Sequence, residues 1–103
     1  MMWVHWESQS GNALLEEFCH LEELDSYFRC DALKSFSCLK YTSYYDDSLY
    51  HYRQIDEVQK ELAVLATLDL PTTARNELNN LNAFIERISG DARKGCVLKF
   101  YGE

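Results

Sequence analysis

Two apolar stripes with helical spacing stand out in the second half of the chain. The first is formed by Ile55, Val58, Leu62 and Leu65. The second, after Pro71, is formed by Ala74, Leu78, Leu81, Ile85 and Ile88. Because residues three or four positions apart share one face of an α-helix, both segments are predicted to be amphipathic helices. Asp56 and Gln59 have the spacing of a capping box for the first helix, and Gly90 supplies a left-handed stop for the second.

A third stripe predicts another helix closer to the N-terminus. It is formed by Leu14, Leu15, Phe18, Leu21, Leu24 and Phe28. Asn12 can cap this helix through its side-chain oxygen, and Asp31 can cap a short helical turn that follows it. Carboxylates occupy much of the remaining surface of the predicted helix: Glu16, Glu17, Glu22, Glu23 and Asp25.

Both ends of the chain are predicted to be strands. Apolar residues in residues 1–7 follow the two-residue period of a strand, and a turn signal follows at residues 8–11. The two faces of the first strand are Met2, Val4 and Trp6 on one side and Trp3 and His5 on the other. Residues 96–101 are largely apolar on both faces, which favours a central strand.

Residues 36–54 fit two different structures. Serine, threonine and aromatic residues predict strands at 36–43 and 49–54, joined by a hairpin turn at residues 46–48. The alternative is a helix over residues 47–68, because the apolar spacing of this segment fits a helical stripe as well. The pattern leaves both structures open.

Together these elements predict an α+β fold. We expect a two-layer single domain over residues 1–103, with a small sheet of three or four strands covered by three helices. A chain of 103 residues fits one domain with one hydrophobic core. With one proline and four glycines, the composition leaves no room for a linker.

The formal net charge of −7 narrows the range of partners. An acidic surface repels nucleic-acid phosphates and anionic lipids, so direct binding of DNA, RNA or a membrane is disfavoured. The same charge speeds encounter with a basic protein, although it also simply keeps a small protein soluble. No run approaches the ~18 apolar residues of a membrane span, and the first residues lack the features of a signal peptide. These features predict a cytoplasmic protein.

The most unusual stretch is residues 40–52, which hold five of the chain's seven tyrosines around a pair of aspartates. Tyrosine offers a large contact area, few rotatable bonds and a polar tip, so the stretch is predicted to bind a partner. Its candidate contact residues are Tyr44, Tyr45, Asp46, Asp47, Tyr50 and Tyr52. The alternative is a half-buried pair of strands, because tyrosine also favours strands.

The acidic pair Glu22 and Glu23, close to Asp25, is a second candidate partner surface. Like charges crowded on one helix destabilise it unless a cation joins them, so a basic partner is one explanation. A solvated helix face is the other explanation.

Residues that often carry chemistry are present without the spacing that the chemistry requires. His5, His20 and His51 are far apart and match no zinc-site spacing, so neither a metal nor a cofactor is predicted. Neighbours on a helix do not face each other, so Cys19 and His20 are not expected to form a dyad, and no enzyme activity is predicted. The four cysteines are expected to be free thiols, and two disulfides in an exported protein are the alternative.

Two short stretches resemble the barstar family of intracellular ribonuclease inhibitors. The first is Tyr44-Tyr45-Asp46-Asp47-Ser48-Leu49, similar to that family's Tyr-Tyr-Gly-Glu-Asn-Leu segment at the inhibitory surface. The second is Lys94-Gly95-Cys96-Val97-Leu98, similar to the Gly-Cys entry to its last strand. Asp46 stands where the family has glycine, and Tyr50 stands where it has an aspartate central to inhibition. In size, acidity and aromatic content the chain is also similar to bacterial immunity proteins, which neutralise a toxin made by the same cell.

This resemblance implies a cognate nuclease toxin as the partner. The leading hypothesis is therefore an immunity-type inhibitor that binds a basic toxin and occludes it. Its carboxylates would meet the lysines and arginines of the toxin, while its tyrosines would supply buried anchors. One alternative is a phage-type antagonist that mimics nucleic acid and blocks a defence nuclease. Another is a small enzyme or ligand-binding domain, which requires a deep polar pocket.

Overall fold

A four-stranded antiparallel sheet forms one layer of the structure, a computed structural model that describes residues 2–42 and 47–102. Its strands are β1 (Met2–Ser8), β2 (Cys19–Leu21), β3 (Ser48–His51) and β4 (Cys96–Gly102), in the spatial order β2-β1-β4-β3. The second layer contains the helices α1 (Tyr52–Ala66) and α2 (Thr72–Glu86). Short 3₁₀ helices occupy Leu24–Arg29, Asp31–Leu33, Leu39–Tyr41 and Gly90–Gly95. The predicted α+β class is confirmed, with two α-helices in the described part of the chain where three were predicted.

The inner face of the sheet packs against the helices and forms the core. On β1 the predicted inner residues Met2, Val4 and Trp6 are all 0% exposed, which confirms the two-residue alternation. On β4, Phe100 is equally buried opposite Val4. The Trp6 indole N–H donates to the Phe84 carbonyl of α2 at 3.3 Å, so its polar atom is satisfied inside the core.

The two helices confirm the apolar stripes predicted for the second half of the chain, except that α2 ends at Glu86, before the predicted Ile88, which is half-buried. All four stripe residues of α1 are 0% exposed. The start of α1 differs from the predicted one. His51 Nδ1 accepts the Arg53 N–H at 3.3 Å, and the Gln54 side chain accepts the His51 N–H at 3.2 Å. The capping box is therefore His51 with Gln54, and the predicted pair Asp56 and Gln59 is wrong.

Among the described residues, neither α1 nor α2 nor any other helix has the length and hydropathy of a membrane span.

The helix predicted over residues 14–28 is wrong. Cys19–Leu21 pairs with β1 as a strand, and Leu24–Arg29 is a 3₁₀ helix. The Glu77 carboxylate of α2 accepts the backbone N–H groups of residues 22–24 at 3.0 Å each, so these groups have partners without a helix. A continuous helix would also have crowded five carboxylates with no lysine or arginine among them.

The hairpin predicted within residues 36–54 is also wrong. β3 pairs with β4 instead, and α1 follows directly after it. The alternative, a helix over residues 47–68, is right from Tyr52 to Ala66 but not before. The segment before β3 needs no strand partner at Leu39, because the Leu39 N–H donates to the Glu61 carboxylate of α1 at 2.9 Å.

Candidate binding surface on the open face of the sheet

The face of the sheet turned away from the helices, which we call the outer face, carries polar and aromatic side chains. Its members are Trp3, His5, Glu7, His20, Leu49, His51, Val97, Lys99 and Tyr101. In the strand register, Trp3 lies between His20 and Tyr101. The predicted central position of β4 is confirmed, but its outer side chains are half-buried and not enclosed as predicted. The outer face is therefore accessible to a partner, except at His5, which is 5% exposed where Phe18 stacks on it.

A polar network occupies the middle of the outer face. The Tyr101 hydroxyl lies 2.6 Å from His5 Nε2, which lies 3.4 Å from a Glu7 carboxylate oxygen. The Lys99 ammonium lies 3.8 Å from Glu7 and 3.6 Å from Asp47. It also lies 4.4 Å from the centroid of the Tyr101 ring, which is a cation–π distance. Two carboxylates therefore share one ammonium group.

Burial acts on the two basic groups of this network with different results. Burial lowers the pKa of His5, and the Glu7 carboxylate opposes this shift only in part, so the imidazole is neutral at pH 7. Burial also lowers the pKa of Lys99, but its contact with Tyr101 and the two carboxylates outweigh that effect. The pKa of Lys99 is raised as a result, and the ammonium stays charged.

Next to the network, aromatic rings line an open groove of about 380 Å³, which we call the aromatic pocket. Its lining residues are Trp3, Phe18, Tyr101 and Gly102. Phe18 lies edge-on to Trp3, with the ring centroids 6.0 Å apart and an angle of 82° between the planes. Phe18 also stacks on His5 at 5.1 Å, and it is 50% exposed despite its size. An exposed phenylalanine held by ring contacts is a candidate contact for a partner.

A second cavity, of about 440 Å³, lies between α2 and the segment that leads into β2. Glu17 and Arg87, which both line it, form a close ion pair. Cys19 lines it as well, but burial raises the pKa of its thiol to about 11, so the thiol stays protonated and is a poor nucleophile. Cys19 and His20 point to opposite faces of β2 and do not form a local dyad.

The tyrosine-rich stretch lies only partly within the described residues. Of its candidate contact residues, Tyr44, Tyr45 and Asp46 lie outside the described residues, and their role stays a prediction. Asp47 is exposed directly before β3 and pairs with Lys99 of the outer face. Tyr52 is half-buried in the first turn of α1. The described part of the stretch therefore places one exposed carboxylate at the margin of the outer face.

The prediction of Tyr50 as a surface anchor is wrong. Its side chain is 5% exposed on the inner side of β3, where the ring lies edge-on to Phe100 at 5.5 Å. Its hydroxyl donates to the Cys38 carbonyl at 3.0 Å and shares a hydrogen bond of 2.6 Å with the Thr42 hydroxyl. Burial raises the pKa of Tyr50 to about 12. Tyr50 thus fastens the segment before β3 to the sheet.

Glu22 and Glu23 are exposed, but they lie in a turn and not on a helix. Their backbone N–H groups donate to Glu77, which fixes the turn and leaves their side chains in solvent. They follow β2 at one edge of the sheet, whereas Asp47 precedes β3 at the opposite edge. The structure therefore does not bring the two predicted acidic groups together, and the outer face lies between them.

The structure brings together other residues that are far apart in the sequence. His5 and His20 lie on either side of Phe18 and Trp3, with Trp3 stacked on His20 at 4.4 Å and Phe18 on His5. Within residues 2–42 and 47–102, no group of three His, Cys, Asp or Glu side chains could hold a metal ion. All four cysteines are unpaired. The two-residue alternation in the first strand already predicts that Trp3 and His5 face away from the inner residues of β1. The sequence contains no signal for the strand register that places Lys99 and Tyr101 beside them.

Comparison of the chain with protein-family models, with curated proteins and with solved structures found no match. The resemblance to the barstar family stays confined to the two segments quoted above.

Proposed function

We propose that the protein is an immunity-type inhibitor, which binds a basic protein toxin and blocks the access of the toxin to its substrate. The observation that carries the proposal is the open outer face. Apolar and aromatic side chains lie on this face, and exposed carboxylates lie at both of its margins. This arrangement has the two parts of a protein interface, a core that excludes water and a charged rim.

The apolar part of the surface supports an interface core. Phe18 is 50% exposed and Leu49 is 56% exposed, although both are large apolar side chains. Trp3 and Tyr101 are half-buried beside them, and aromatic residues of this kind often dominate binding energy. A partner that covers these side chains would remove apolar surface from water, which is the main favourable term in most associations.

The charge of the chain supports a basic partner. The net charge is −7. Glu22 follows the edge strand β2 and Asp47 precedes the edge strand β3, so these two carboxylates lie at opposite margins of the outer face. A nuclease binds the phosphates of its substrate with lysines and arginines, so an acidic protein is attracted to that same site. Inhibition then needs only occlusion and no chemistry in this chain. The barstar-like segment that contains Asp47 supports a nuclease as the toxin.

A growth experiment tests the proposed function directly. The product of the gene next to that of this chain is produced in a bacterial host, alone and together with the chain. We expect that product to stop growth alone and the chain to restore growth. We also expect the two purified proteins to bind with one-to-one stoichiometry in isothermal titration calorimetry. A neighbour that is not toxic, or toxicity that the chain does not relieve, would contradict the proposal.

A paired substitution tests the predicted acidic contact. Asp46→Ala combined with Asp47→Ala is expected to weaken toxin binding about tenfold, mainly through a slower association rate, because charge at the contact is lost. The matched control is Asp69→Ala combined with Glu86→Ala, which removes the same charge from exposed positions on the helical side. Surface plasmon resonance at two salt concentrations separates the effects. Equal affinities for the two double variants would rule out this contact.

A further inference from the structure

The aromatic pocket is an open groove whose size suits a single side chain. Trp3 and Phe18 meet edge to face with their ring centroids 6.0 Å apart, so the two rings are in contact and form one continuous wall of the pocket. Tyr101 and Gly102 complete the lining. The cavity of about 380 Å³ is near the lower end of the size range of ligand pockets, which suits one side chain better than a large ligand.

The electrostatics of the pocket favour a cation. The faces of aromatic rings are electronegative and attract positive charge. The Lys99 ammonium already uses this attraction, because it lies 4.4 Å from the centroid of the Tyr101 ring. Glu7 and Asp47 share that one ammonium, and the neighbouring His5 is neutral because burial lowers its pKa. Among the residues that the structure describes, one negative charge of the network beside the pocket is therefore left without a cation.

We propose that the aromatic pocket binds the guanidinium group of an arginine side chain of the partner. A guanidinium is planar, stacks on aromatic faces and is more weakly hydrated than an ammonium, so it loses less on entering an apolar pocket than a lysine does. The inference rests on the proposed function for the source of the arginine. The chemistry of the pocket can be tested without the toxin.

The test uses two small probes that differ only in charge. Acetyl-arginine amide carries the guanidinium, and acetyl-citrulline amide has the same shape with a neutral urea. The readout is the indole N–H resonance of Trp3 in a ¹H–¹⁵N spectrum, and the indole of the buried Trp6 is the internal reference. We expect the arginine probe to shift the Trp3 signal with millimolar affinity and to leave Trp6 unchanged. The citrulline probe should bind about two- to fivefold more weakly, the size of a cation–π contribution at an exposed site.

A conservative substitution separates ring chemistry from apolar contact. Phe18→Leu keeps an apolar side chain of similar reach but removes the ring, and half of this side chain is already in solvent, so folding is little affected. It should lower the affinity for the arginine probe about two- to fivefold. The matched control is Leu14→Ala, an exposed apolar position outside the pocket lining, which should leave the affinity unchanged.

Three results would each overturn the inference. They are equal binding of the citrulline and arginine probes, an unchanged affinity in Phe18→Leu, and tighter binding of acetyl-lysine amide than of the arginine probe. Its failure is distinguishable from failure of the proposed function. If the probes behave as expected and the chain does not neutralise the toxin, the proposed function fails alone. If the chain neutralises the toxin and the probes do not discriminate, the pocket assignment fails alone.

Discussion

Residues 12–42 and residues 52–86 use similar side chains but contribute to the core in different ways. Both segments carry leucine and other apolar residues at intervals of three and four positions. In the second segment these residues line two α-helices of 15 residues each. In the first, the buried leucines and Phe28 are divided between a three-residue strand and short 3₁₀ helices. Apolar spacing therefore does not decide which backbone structure buries a side chain. In the first segment it does not decide burial at every position either, because Leu14 and Phe18 of its stripe are exposed.

The two segments differ in how their backbone groups are satisfied. An α-helix supplies its own backbone partners, except at its ends. The first segment instead takes partners from the second, because Glu77 of α2 accepts the N–H groups of residues 22–24 and Glu61 of α1 accepts that of Leu39. Both glutamates are buried and form charge-assisted hydrogen bonds. The irregular segment is thus fixed by carboxylates that belong to the regular one.

Glu77→Ala is expected to have the largest effect on this arrangement. The change removes a carboxylate that accepts three backbone hydrogen bonds, including that of the buried Leu24. We expect a loss of about 2–4 kcal/mol in the free energy of unfolding, because hydrogen bonds to charged groups are strong and a buried donor is left without a partner. Urea unfolding followed by circular dichroism measures this loss.

Two further variants give the scale for Glu77→Ala. Glu86→Ala changes an exposed glutamate on the same helix and should alter stability by less than about 0.5 kcal/mol. Glu77→Gln keeps an acceptor oxygen and should fall between the two. If Glu77→Ala proved as mild as Glu86→Ala, the three bonds would contribute little, and the irregular segment would be held by its apolar contacts alone.

The difference between the segments also explains which parts of the fold are predictable from sequence. The stripes of α1 and α2 and the alternation in β1 are local patterns, and each is confirmed. The strand at Cys19–Leu21 is not local, because it exists only where the edge of β1 lies beside it. The same applies to the turn at residues 22–24, which Glu77 of α2 fixes. A glutamate inside an apolar stripe gives no indication of which distant N–H groups it will bind.

The candidate binding surface was less predictable for the same reason. The sequence marks Asp47 and Tyr50 as neighbours on one surface. Side chains alternate between the two sides of a strand, however, and Tyr50 points to the inner side of β3, whereas Asp47, directly before β3, is exposed. The exposure of Phe18 could not be predicted either, because the apolar stripe assigns it to the core. Its actual position follows from the strand register, which depends on contacts across the whole chain.

Tyr50→Phe is expected to have an intermediate effect on stability. The change keeps the buried ring and removes the hydroxyl that bonds Cys38 and Thr42, so the segment before β3 loses its side-chain connection to the sheet. We expect a loss of about 1–2 kcal/mol, measured by thermal unfolding. Binding to the toxin should be unchanged, because the side chain is buried. A weaker complex at unchanged stability would show that Tyr50 contributes to the contact with the partner.

Glu61→Gln is expected to have the smallest effect at neutral pH, but it changes how stability depends on pH. Burial raises the pKa of Glu61 above its usual 4.5, so between 4.5 and the raised value the folded protein binds more protons than the unfolded chain does. This contribution to stability is therefore fully present below pH 4.5 and is lost as the pH rises through the folded pKa. Glutamine keeps an acceptor for the Leu39 N–H and does not ionise, so the variant should lose less stability over this window and show a small gain at pH 7. A smaller fall should remain, because burial also raises the pKa of Asp25. Urea unfolding of both proteins across this pH range measures the difference, and parallel curves would show that Glu61 holds the irregular segment without any cost from its charge.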